Sequence, residues 1–357
     1  MHLVEILERR TRPAAGVLMA LTRRCPLSCS HCSTNSMISS EEYPDQPFRN
    51  LVDSFTPQCR PDLVYLSGGE ALLRAELVRY LAAGTRRAGG RTVLLSGMYF
   101  ARDGRQIPRA VREAIASVDH FTASLDEFHE REVSRAEVFA AMHRIRRWVP
   151  AVSFQLTGLD DEDPYLAGLV RDVRAEFADE VPILVDHVNP RGRAQRFVSE
   201  QEEVLIPGAV IPCGLAAWPL VHYEGTVFAC CAQDVVARHR PEHLVLGHAE
   251  TDPWPVIRER ALHSPMLRAI RLAGPLHVES LFAAAPSGSP SYCGTCVALA
   301  GDPGIAPAVE RYLDTEAGAG LELVGGLMTQ RAGADGFARR LGAPRYSELV
   351  TLGREAP

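Results

Sequence analysis

Short apolar segments alternate with amphipathic helical stretches between about residue 15 and residue 190. Six of the apolar segments have the length of strands: Gly16–Thr22, Asp62–Leu66, Thr92–Leu95, His120–Leu125, Val152–Leu156 and Ile183–Val188. Strands that alternate with helices are typical of βαβ units, in which successive strands run parallel in one sheet. Six such units are fewer than the eight of a closed TIM barrel. The pattern therefore predicts an α/β fold built on a parallel sheet.

The helical stretches carry start signals, and the pattern changes along the chain. Ser134 and Glu137 form a capping box, and Asp163 followed by Pro164 is an N-cap with proline at the first helical position. Beyond Arg193 the alternation fades, while Gly, Pro and Cys become more frequent. We therefore expect an alternating domain at 15–195, a smaller cysteine-rich domain at 200–300 and a C-terminal extension at 301–357 whose role the sequence does not indicate.

Eight of the nine cysteines fall into two groups, and the first group is the stronger signal. Cys25, Cys29 and Cys32 follow the first predicted strand with the spacing C-x3-C-x2-C. Three thiolates on one loop can hold three irons of a [4Fe–4S] cluster and leave the fourth iron open to another ligand. A zinc site is the alternative, because zinc-binding cysteines are also separated by two to four residues. Cys59 stands apart and is expected to be a small buried apolar side chain.

Charge and composition exclude several classes of function. The net charge of −6 and the pI of about 6.1 give no basic footprint for nucleic acid, so no nucleic-acid partner is expected. The longest uncharged stretches contain Pro, Gly and Ser, which argues against a membrane span. The N-terminal segment has charges inside its apolar run and lacks the layout of a signal peptide. We therefore expect a cytoplasmic protein, in which grouped cysteines more often mark metal sites or catalysis than disulfides.

A glycine-rich turn follows the second predicted strand: Gly68 and Gly69, then Glu70. Glycine at such a turn permits positive φ and a close approach of the backbone to a ligand, although a plain tight connection would use the same residues. Together with the three cysteines, this turn resembles a motif of the radical S-adenosylmethionine (radical SAM) superfamily. In that family the open iron binds SAM, and reductive cleavage of SAM yields a 5′-deoxyadenosyl radical that removes a hydrogen atom from the substrate.

The resemblance implies a fold, a set of cofactor contacts and a partner. The fold is a partial (β/α)6 TIM-like barrel with its active site at the C-terminal ends of the strands. The implied SAM-binding residues are His31, Gly68, Gly69, Glu70, Ser124 and Asp126. Glu70 and its glycines would bind the amino group of SAM, whereas Ser124 and Asp126 would contact the ribose or, alternatively, cap a helix. The implied partner is an external electron donor such as flavodoxin or ferredoxin.

The second cysteine group resembles the ligands of SPASM and twitch domains, which are C-terminal extensions of some radical SAM enzymes. Eleven residues separate Cys213 from Gly225, four more separate Gly225 from Cys230, and a C-x2-C pair follows later. The resemblance implies the shorter twitch form, with one auxiliary [4Fe–4S] cluster on four cysteines: Cys213, Cys230, Cys293 and Cys296. Cys231 is the alternative to Cys230. A structural zinc site with four cysteine ligands is the other interpretation.

A cluster held by four thiolates has no open iron, so it would accept an electron from the substrate radical rather than bind the substrate. We therefore expect an oxidoreductase that dehydrogenates a small polar natural-product intermediate such as a sugar, an aminocyclitol or a nucleoside. The alternative enzyme is a maturase that cross-links, oxidises or epimerises a ribosomally made peptide. The alternative of another class is a non-enzymatic iron–sulfur or zinc scaffold.

An alcohol oxidation also needs a base within hydrogen-bond reach of the hydroxyl proton. The candidates are polar side chains near the predicted strand ends: Tyr99, His129, Gln155, His187, Arg191 and Arg193. Each of these residues is more often a cap, a salt-bridge partner or a packing residue than a catalyst. The sequence therefore leaves the catalytic residue open.

Overall fold

The computed structural model describes residues 1–104, 106–198, 205–233 and 235–354, with side chains for all of these except 328–332. Position 105 of the expected alternating domain, positions 200–204 and 234 of the expected cysteine-rich domain and positions 355–357 of the expected extension lie outside the described residues. No helix among the described residues is long and apolar enough to cross a membrane.

Six parallel strands lie side by side in chain order and form the larger part of one sheet. They are β1 (Gly16–Ala20), β2 (Leu63–Ser67), β3 (Arg91–Ser96), β4 (His120–Asp126), β5 (Val152–Gly158) and β6 (Ile183–His187). Each strand pairs in parallel with the next one along the chain. The predicted parallel α/β sheet is therefore confirmed, and the ends of the six strands differ from the prediction by at most two residues.

Helices precede and connect these strands. They are α1 (Leu3–Arg10), α2 (Gln46–Asp53), α3 (Ala75–Arg87), α4 (Arg109–Ser117), α5 (Glu127–Glu130), α6 (Arg135–Ile145) and α7 (Pro164–Phe177). Both predicted helix starts are present. Ser134 and Glu137 form the reciprocal capping box of α6, and the Asp163 carboxylate accepts hydrogen bonds from two backbone N–H groups of α7. A side-chain cap of this kind contributes about 0.5–2 kcal/mol to helix stability.

The sheet continues into the cysteine-rich part of the chain. Strand β7 (Leu220–Val221) pairs in parallel with β1, and β8 (Thr226–Phe228) and β9 (Val245–His248) extend the sheet as antiparallel strands. Six helices follow or accompany them: α8 (Trp254–His263), α9 (Pro265–Ala273), α10 (Pro275–Phe282), α11 (Tyr292–Ala298), α12 (Ile305–Leu313) and α13 (Glu316–Leu341). Backbone hydrogen bonds of a shared sheet thus join this part to the barrel, and the boundaries at 195 and 200 stay predictions.

Both ends of the chain close the lower end of the barrel, where the parallel strands begin. Leu3 of α1 packs in one buried cluster with Leu63 of β2 and Phe337 of α13. Beyond α13, the Ala343 N–H donates to the carbonyl of Val185 in the edge strand β6 (2.8 Å). The C-terminal extension, whose role the sequence did not indicate, therefore fills the barrel interior from below and covers the edge of its sheet.

Candidate functional site

A cavity of about 420 Å³ lies at the carboxyl ends of the parallel strands. Its volume falls within the range of about 300–1,000 Å³ that is typical of small-molecule sites. Most of the residues predicted from the sequence line its wall: Cys25, Cys29, His31, Cys32, Gly68, Gly69, Ser124, His129, Gln155, His187 and Arg193. The fold thus brings side chains from at least five separate segments into one chamber.

The three cysteines of the first group lie on the loop after β1, and hydrogen bonds to the loop backbone hold it in place. Arg193 donates from Nε to the Cys29 carbonyl (2.8 Å) and from Nη1 to the Ser36 carbonyl (2.8 Å). The Cys25 N–H donates to the Met37 carbonyl (3.2 Å). Arg193 was a catalytic candidate, and its guanidinium is engaged in fixing the cysteine loop.

The donor set of this loop fits a cluster better than a single zinc ion. Cys25, Cys29 and Cys32 are free thiols. In the described part of the chain, no three cysteine sulfurs lie within 4.8 Å of one another. A tetrahedral zinc site with Zn–S bonds of about 2.3 Å needs closer sulfurs, whereas a [4Fe–4S] cluster spreads its ligands over separate irons.

The environment of these thiols differs from one to the next. Burial raises the pKa of Cys25 to about 12. Burial also acts on Cys32, but hydrogen bonds from the Thr34 hydroxyl and the Ser36 N–H outweigh it and lower the pKa of Cys32 below the usual thiol value. Because a thiol must lose its proton to bind a metal, cluster binding releases protons from this loop.

The glycine turn after β2 packs directly on the backbone that leads into the cysteine loop. Gly68 has a φ of +137°. The Gly69 N–H donates to the Thr22 carbonyl (2.6 Å), and a Cβ on Gly69 would lie only 2.3 Å from the Arg24 carbonyl oxygen. A side chain at Gly69 would therefore push the cysteine loop out of position.

Glu70 lies behind the cavity wall and does not line it. Its carboxylate is 1% exposed, and it accepts hydrogen bonds from the Leu72 N–H, the Ser96 hydroxyl and the Gly97 N–H, all at about 3 Å. Burial raises the pKa of Glu70 to about 7. The carboxylate ties the end of β2 to the end of β3, and the predicted contact with the SAM amino group stays a prediction.

A buried carboxylate, Asp126, holds two histidines beside the cysteines. Its Oδ2 lies 2.6 Å from Nδ1 of His129 and 3.3 Å from Nε2 of His31, and its Oδ1 accepts from the N–H groups of Phe128 and His129. Although burial opposes ionisation, the contacts with the two histidines hold the pKa of Asp126 well below its usual range. Asp126 thus caps α5 and is absent from the cavity wall, while Ser124 lines the wall. The ribose contacts of both residues stay predictions.

The remaining catalytic candidates occupy different places. Gln155 and His187 line the cavity, and Nε2 of His187 lies 3.1 Å from a carboxylate oxygen of Asp161. Arg191 lines an adjoining outer cavity of about 230 Å³. Tyr99 belongs to neither wall, and burial raises its pKa to about 12. Four of the six candidates therefore reach the main cavity.

Sequence analysis missed several polar residues in the cavity wall, among them Asp186 and Tyr65. Leu184 and Asp186 face the barrel interior, whereas Val185 between them is buried in the outer core. The period-two alternation of β6 could have indicated Asp186, but the strand had been interpreted as one apolar run. In the structure, Nε2 of Gln155 donates to Oδ2 of Asp186 (2.6 Å).

The five cysteines of the second group converge, although they come from three separate segments. Cys213 precedes a short 3-10 helix, Cys230 and Cys231 follow β8, and Cys293 and Cys296 lie on α11. Electrostatic contacts link Cys230 with Cys213, Cys231 and Cys296, and link Cys296 with Cys293. Burial raises the pKa of the three most enclosed thiols, Cys213, Cys230 and Cys296.

The neighbouring residues Cys230 and Cys231 face different surroundings. Cys230 is buried, and its sulfur accepts from the Ala232 N–H (3.3 Å). Cys231 lines the main cavity, and Nη2 of Arg10 donates to its sulfur (3.4 Å). Through Cys231 the second cysteine group borders the same cavity as Cys25, Cys29 and Cys32.

Comparison with known proteins agrees with this geometry. The family model of the radical SAM superfamily matches residues 19–170. Residues 19–170 therefore form a radical SAM domain. The chain is an enzyme, and this domain implies a [4Fe–4S] cluster and SAM. A comparison of the sequence with curated proteins finds no significant match.

Two solved structures are similar to this radical SAM enzyme. The SAM-bound structure of SuiB from Streptococcus suis has a TM-score of 0.50 and 11% identity, over 83% of this chain and 76% of SuiB. The structure of BtrN in complex with AdoMet and 2-DOIA has a TM-score of 0.45 and 11% identity, over 78% of this chain and 96% of BtrN. At this level of identity, the likeness to SuiB supports the fold.

Replacing Gly69 with alanine should reduce SAM cleavage by about 100-fold, because a shift of about 1 Å in a reacting group can cost this much. The added methyl group would collide with the Arg24 carbonyl, which is backbone and cannot rotate away. The measurement is 5′-deoxyadenosine formed under dithionite. Gly320→Ala in α13 is the matched control, since a Cβ there meets nothing within 4 Å. Equal activity of the two variants would contradict the role assigned to Gly69.

Proposed function

We propose that this enzyme dehydrogenates an alcohol group of a small polar metabolite and passes one electron to an auxiliary [4Fe–4S] cluster. The observation that carries the proposal is the convergence of the second cysteine group at the border of the cavity. An electron acceptor beside the substrate cavity is what a two-electron oxidation needs after a hydrogen atom has been removed. A sugar, an aminocyclitol or a nucleoside would be a substrate of this kind.

Four cysteines of the second group would hold the auxiliary cluster: Cys213, Cys230, Cys293 and Cys296. Cys230 is the better ligand than Cys231, because it is buried among the other thiols while Cys231 faces the cavity. Among the described residues no three cysteine sulfurs lie within 4.8 Å of one another, which again favours a cluster over a single zinc ion. The reduction potential of such a cluster would be set by the hydrogen bonds to its sulfurs and by its burial.

The protein's own residues would bind, orient and enclose the reactants. When bound, the first cluster and SAM supply the 5′-deoxyadenosyl radical that removes a hydrogen atom from the substrate. Cys25, Cys29 and Cys32 would hold that cluster, and Gly68 and Gly69 would let the β2 turn approach SAM closely. The barrel wall would keep the substrate next to SAM and exclude water.

The cavity supports a small substrate over a peptide. Its volume of about 420 Å³ lies at the lower end of the range for small-molecule sites, and it must also accommodate much of SAM. Its wall presents hydrogen-bonding groups from Ser124, Gln155 and Asp186. These groups suit a polyhydroxylated or aminated ring. We also propose a cytoplasmic location and reduction by flavodoxin or ferredoxin, as expected from the sequence.

Counting iron and sulfide tests the auxiliary cluster. We expect about eight irons per chain after anaerobic reconstitution, and about four in a Cys25→Ala/Cys29→Ala/Cys32→Ala triple variant, because each [4Fe–4S] cluster holds four irons. About four irons falling to none, with zinc bound at the second cysteine group, would overturn the electron-acceptor role.

A pair of adjacent variants tests which cysteine is the ligand. Cys230→Ala should lose about four irons, the content of one cluster, whereas Cys231→Ala should keep them all. The physical reason is that Cys230 is enclosed with the other thiols, while the Cys231 sulfur is turned to the cavity. Iron analysis and the EPR spectrum of the reduced protein give the result. The reverse pattern would assign the ligand to Cys231.

A further inference from the structure

We propose that Asp186, oriented by Gln155, binds the hydroxyl group on the carbon that loses hydrogen and accepts the proton of that hydroxyl. This inference rests on the proposed alcohol dehydrogenation and adds to it a named base and a substrate group. It also defines the substrate more narrowly, as one with a free secondary or primary hydroxyl at the reacting carbon.

The position of Asp186 meets the geometric requirement for a base. It is the penultimate residue of β6, at the carboxyl end of the strand, and it lines the cavity that contains Cys25, Cys29 and Cys32. Catalytic groups of barrel enzymes come from this end of the strands. Asp186 is only partly exposed to solvent, so a ring held against it would be shielded by the surrounding wall.

The hydrogen bonding of Asp186 leaves capacity for a ligand. Among the described residues, Gln155 provides the one hydrogen bond to this carboxylate, at 2.6 Å, and no arginine forms a salt bridge with it. An ionised carboxylate can accept about four hydrogen bonds. Asp126 in the same barrel is fully engaged by four contacts. The contrast identifies Asp186 as the carboxylate with lone pairs available to a substrate hydroxyl.

The charge state of Asp186 suits proton transfer near neutral pH. Burial raises its pKa to about 6, although the hydrogen bond from Gln155 and the nearby His187 oppose this effect. Above pH 6 the group is mainly an ionised acceptor, and below pH 6 it is mainly protonated and cannot take a proton. A base whose pKa lies close to the working pH transfers protons most effectively.

Four histidines of the cavity wall each contact a carboxylate other than Asp186. His187 contacts Asp161, His129 and His31 contact Asp126, and His222 contacts Glu224. Burial raises the pKa of Tyr65, with Asp186 as the next contribution, so the phenol keeps its proton. Tyr65 therefore stays protonated close to Asp186, and of these two groups Asp186 is the one that can accept a proton.

The step balances with the groups already named. The substrate carbon would lose one hydrogen atom to the radical that SAM supplies, the hydroxyl O–H bond would break, and its proton would pass to an Asp186 oxygen. One electron would pass to the oxidised iron–sulfur cluster that the second cysteine group would hold. The carbon–oxygen bond becomes a carbonyl, so the alcohol loses two hydrogens and two electrons in total.

The test uses the reconstituted full-length enzyme with SAM, dithionite and three alcohol probes deuterated at their carbinol carbons: 2-deoxy-scyllo-inosamine, glucose and uridine. Two products are measured, deuterated 5′-deoxyadenosine and the ketone or aldehyde. The variants are Asp186→Asn, which keeps the shape of the side chain, and Asp160→Asn as the matched control. Asp160 is exposed beyond β5 and lies outside the cavity wall. Iron content and circular dichroism confirm that each variant is folded and loaded.

We expect Asp186→Asn to form carbonyl product about 10²–10⁴ times more slowly, the usual cost of losing a general base. Deuterium transfer to 5′-deoxyadenosine should fall much less, so the ratio of deuterated 5′-deoxyadenosine to carbonyl product should rise well above the wild-type value. Wild-type carbonyl formation should decline as the pH falls through about 6, the raised pKa of Asp186. Asp160→Asn should behave like the wild type.

Three results would overturn the proposal, and they are distinguishable. If the wild-type enzyme transfers deuterium from none of the probes to 5′-deoxyadenosine, the proposed alcohol dehydrogenation itself is wrong. If the wild-type enzyme oxidises a probe and Asp186→Asn oxidises it at the same rate, the proposed function stands and Asp186 is excluded as the base. If Asp186→Asn loses deuterium transfer and carbonyl product to the same extent, Asp186 serves only to bind the substrate, and its role in accepting the hydroxyl proton is excluded.

Discussion

Replacing Cys29 with alanine should abolish the cleavage of SAM and remove about four of about eight irons, the content of one [4Fe–4S] cluster. Cys29 is the central cysteine of the first group, is 8% exposed and has its carbonyl held by Arg193. A cluster with an open iron has three protein ligands, so the loss of one ligand leaves two. The measurements are 5′-deoxyadenosine formation under dithionite and the EPR signal of the reduced cluster.

Cys59→Ala is the matched control for that variant. Cys59 lies in the turn between α2 and β2, where its backbone N–H donates to the Thr56 carbonyl, and it is not part of the cavity wall. Its loss should leave iron content and SAM cleavage unchanged. SAM cleavage by Cys29→Ala at the wild-type rate would show that the first cysteine group does not hold the cluster that acts on SAM.

Replacing Trp218 with alanine should lower the free energy of unfolding by about 3–5 kcal/mol, the usual cost of deleting a buried aromatic side chain. Trp218 is fully buried, and its indole N–H donates to the Arg9 carbonyl at the end of α1 (2.9 Å). Its ring packs so tightly on β1 that a Cβ on Gly16 would lie 2.6 Å from it. The side chain thus connects the segment after Cys213 to both α1 and β1.

Chemical denaturation of the reconstituted protein measures this loss, with Trp148→Ala as the matched control. Trp148 is half-buried at the end of α6 and has an arginine over its ring, as Trp218 does, but at 5.5 Å instead of 5.0 Å. Trp148→Ala should therefore lower the free energy of unfolding by clearly less than Trp218→Ala does. A loss of 3–5 kcal/mol is a large share of the typical total of about 5–15 kcal/mol. Equal losses in the two variants would show that Trp218 does not connect the two parts.

Taken together, the two cysteine groups define a single reaction chamber. We propose that the first group holds the cluster implied by the radical SAM domain, and the second group borders the same cavity through Cys231. Asp186 lies between the two groups in the sequence, and it lines the same cavity. A substrate bound there would have access to a radical, a base and an electron acceptor, which are the three requirements of an oxygen-independent alcohol oxidation.

The sequence by itself determined the features that depend on local patterns. Alternating apolar and helical periods predicted six parallel strands to within two residues at each end, because period and length distinguish strands from helices locally. The capping box at Ser134 and the proline start at Asp163 are also local, and both are present. The spacing of Cys25, Cys29 and Cys32 and the Gly68–Glu70 turn identified the family, since a loop that holds a cluster needs these residues close together in the chain.

Only the tertiary structure decided the features that join distant segments. Which side chains of β6 face the barrel interior, Asp186 among them, is decided by the neighbours that cover the other face of the strand. The separation of Cys230 from Cys231 depends on how β8 is packed, since two adjacent residues cannot be told apart by spacing. The C-terminal extension fills the barrel from below through contacts with α1 and β6 that no local pattern encodes. Burial and long-range pairing are properties of the assembled fold, so the residues that share the cavity became visible only there.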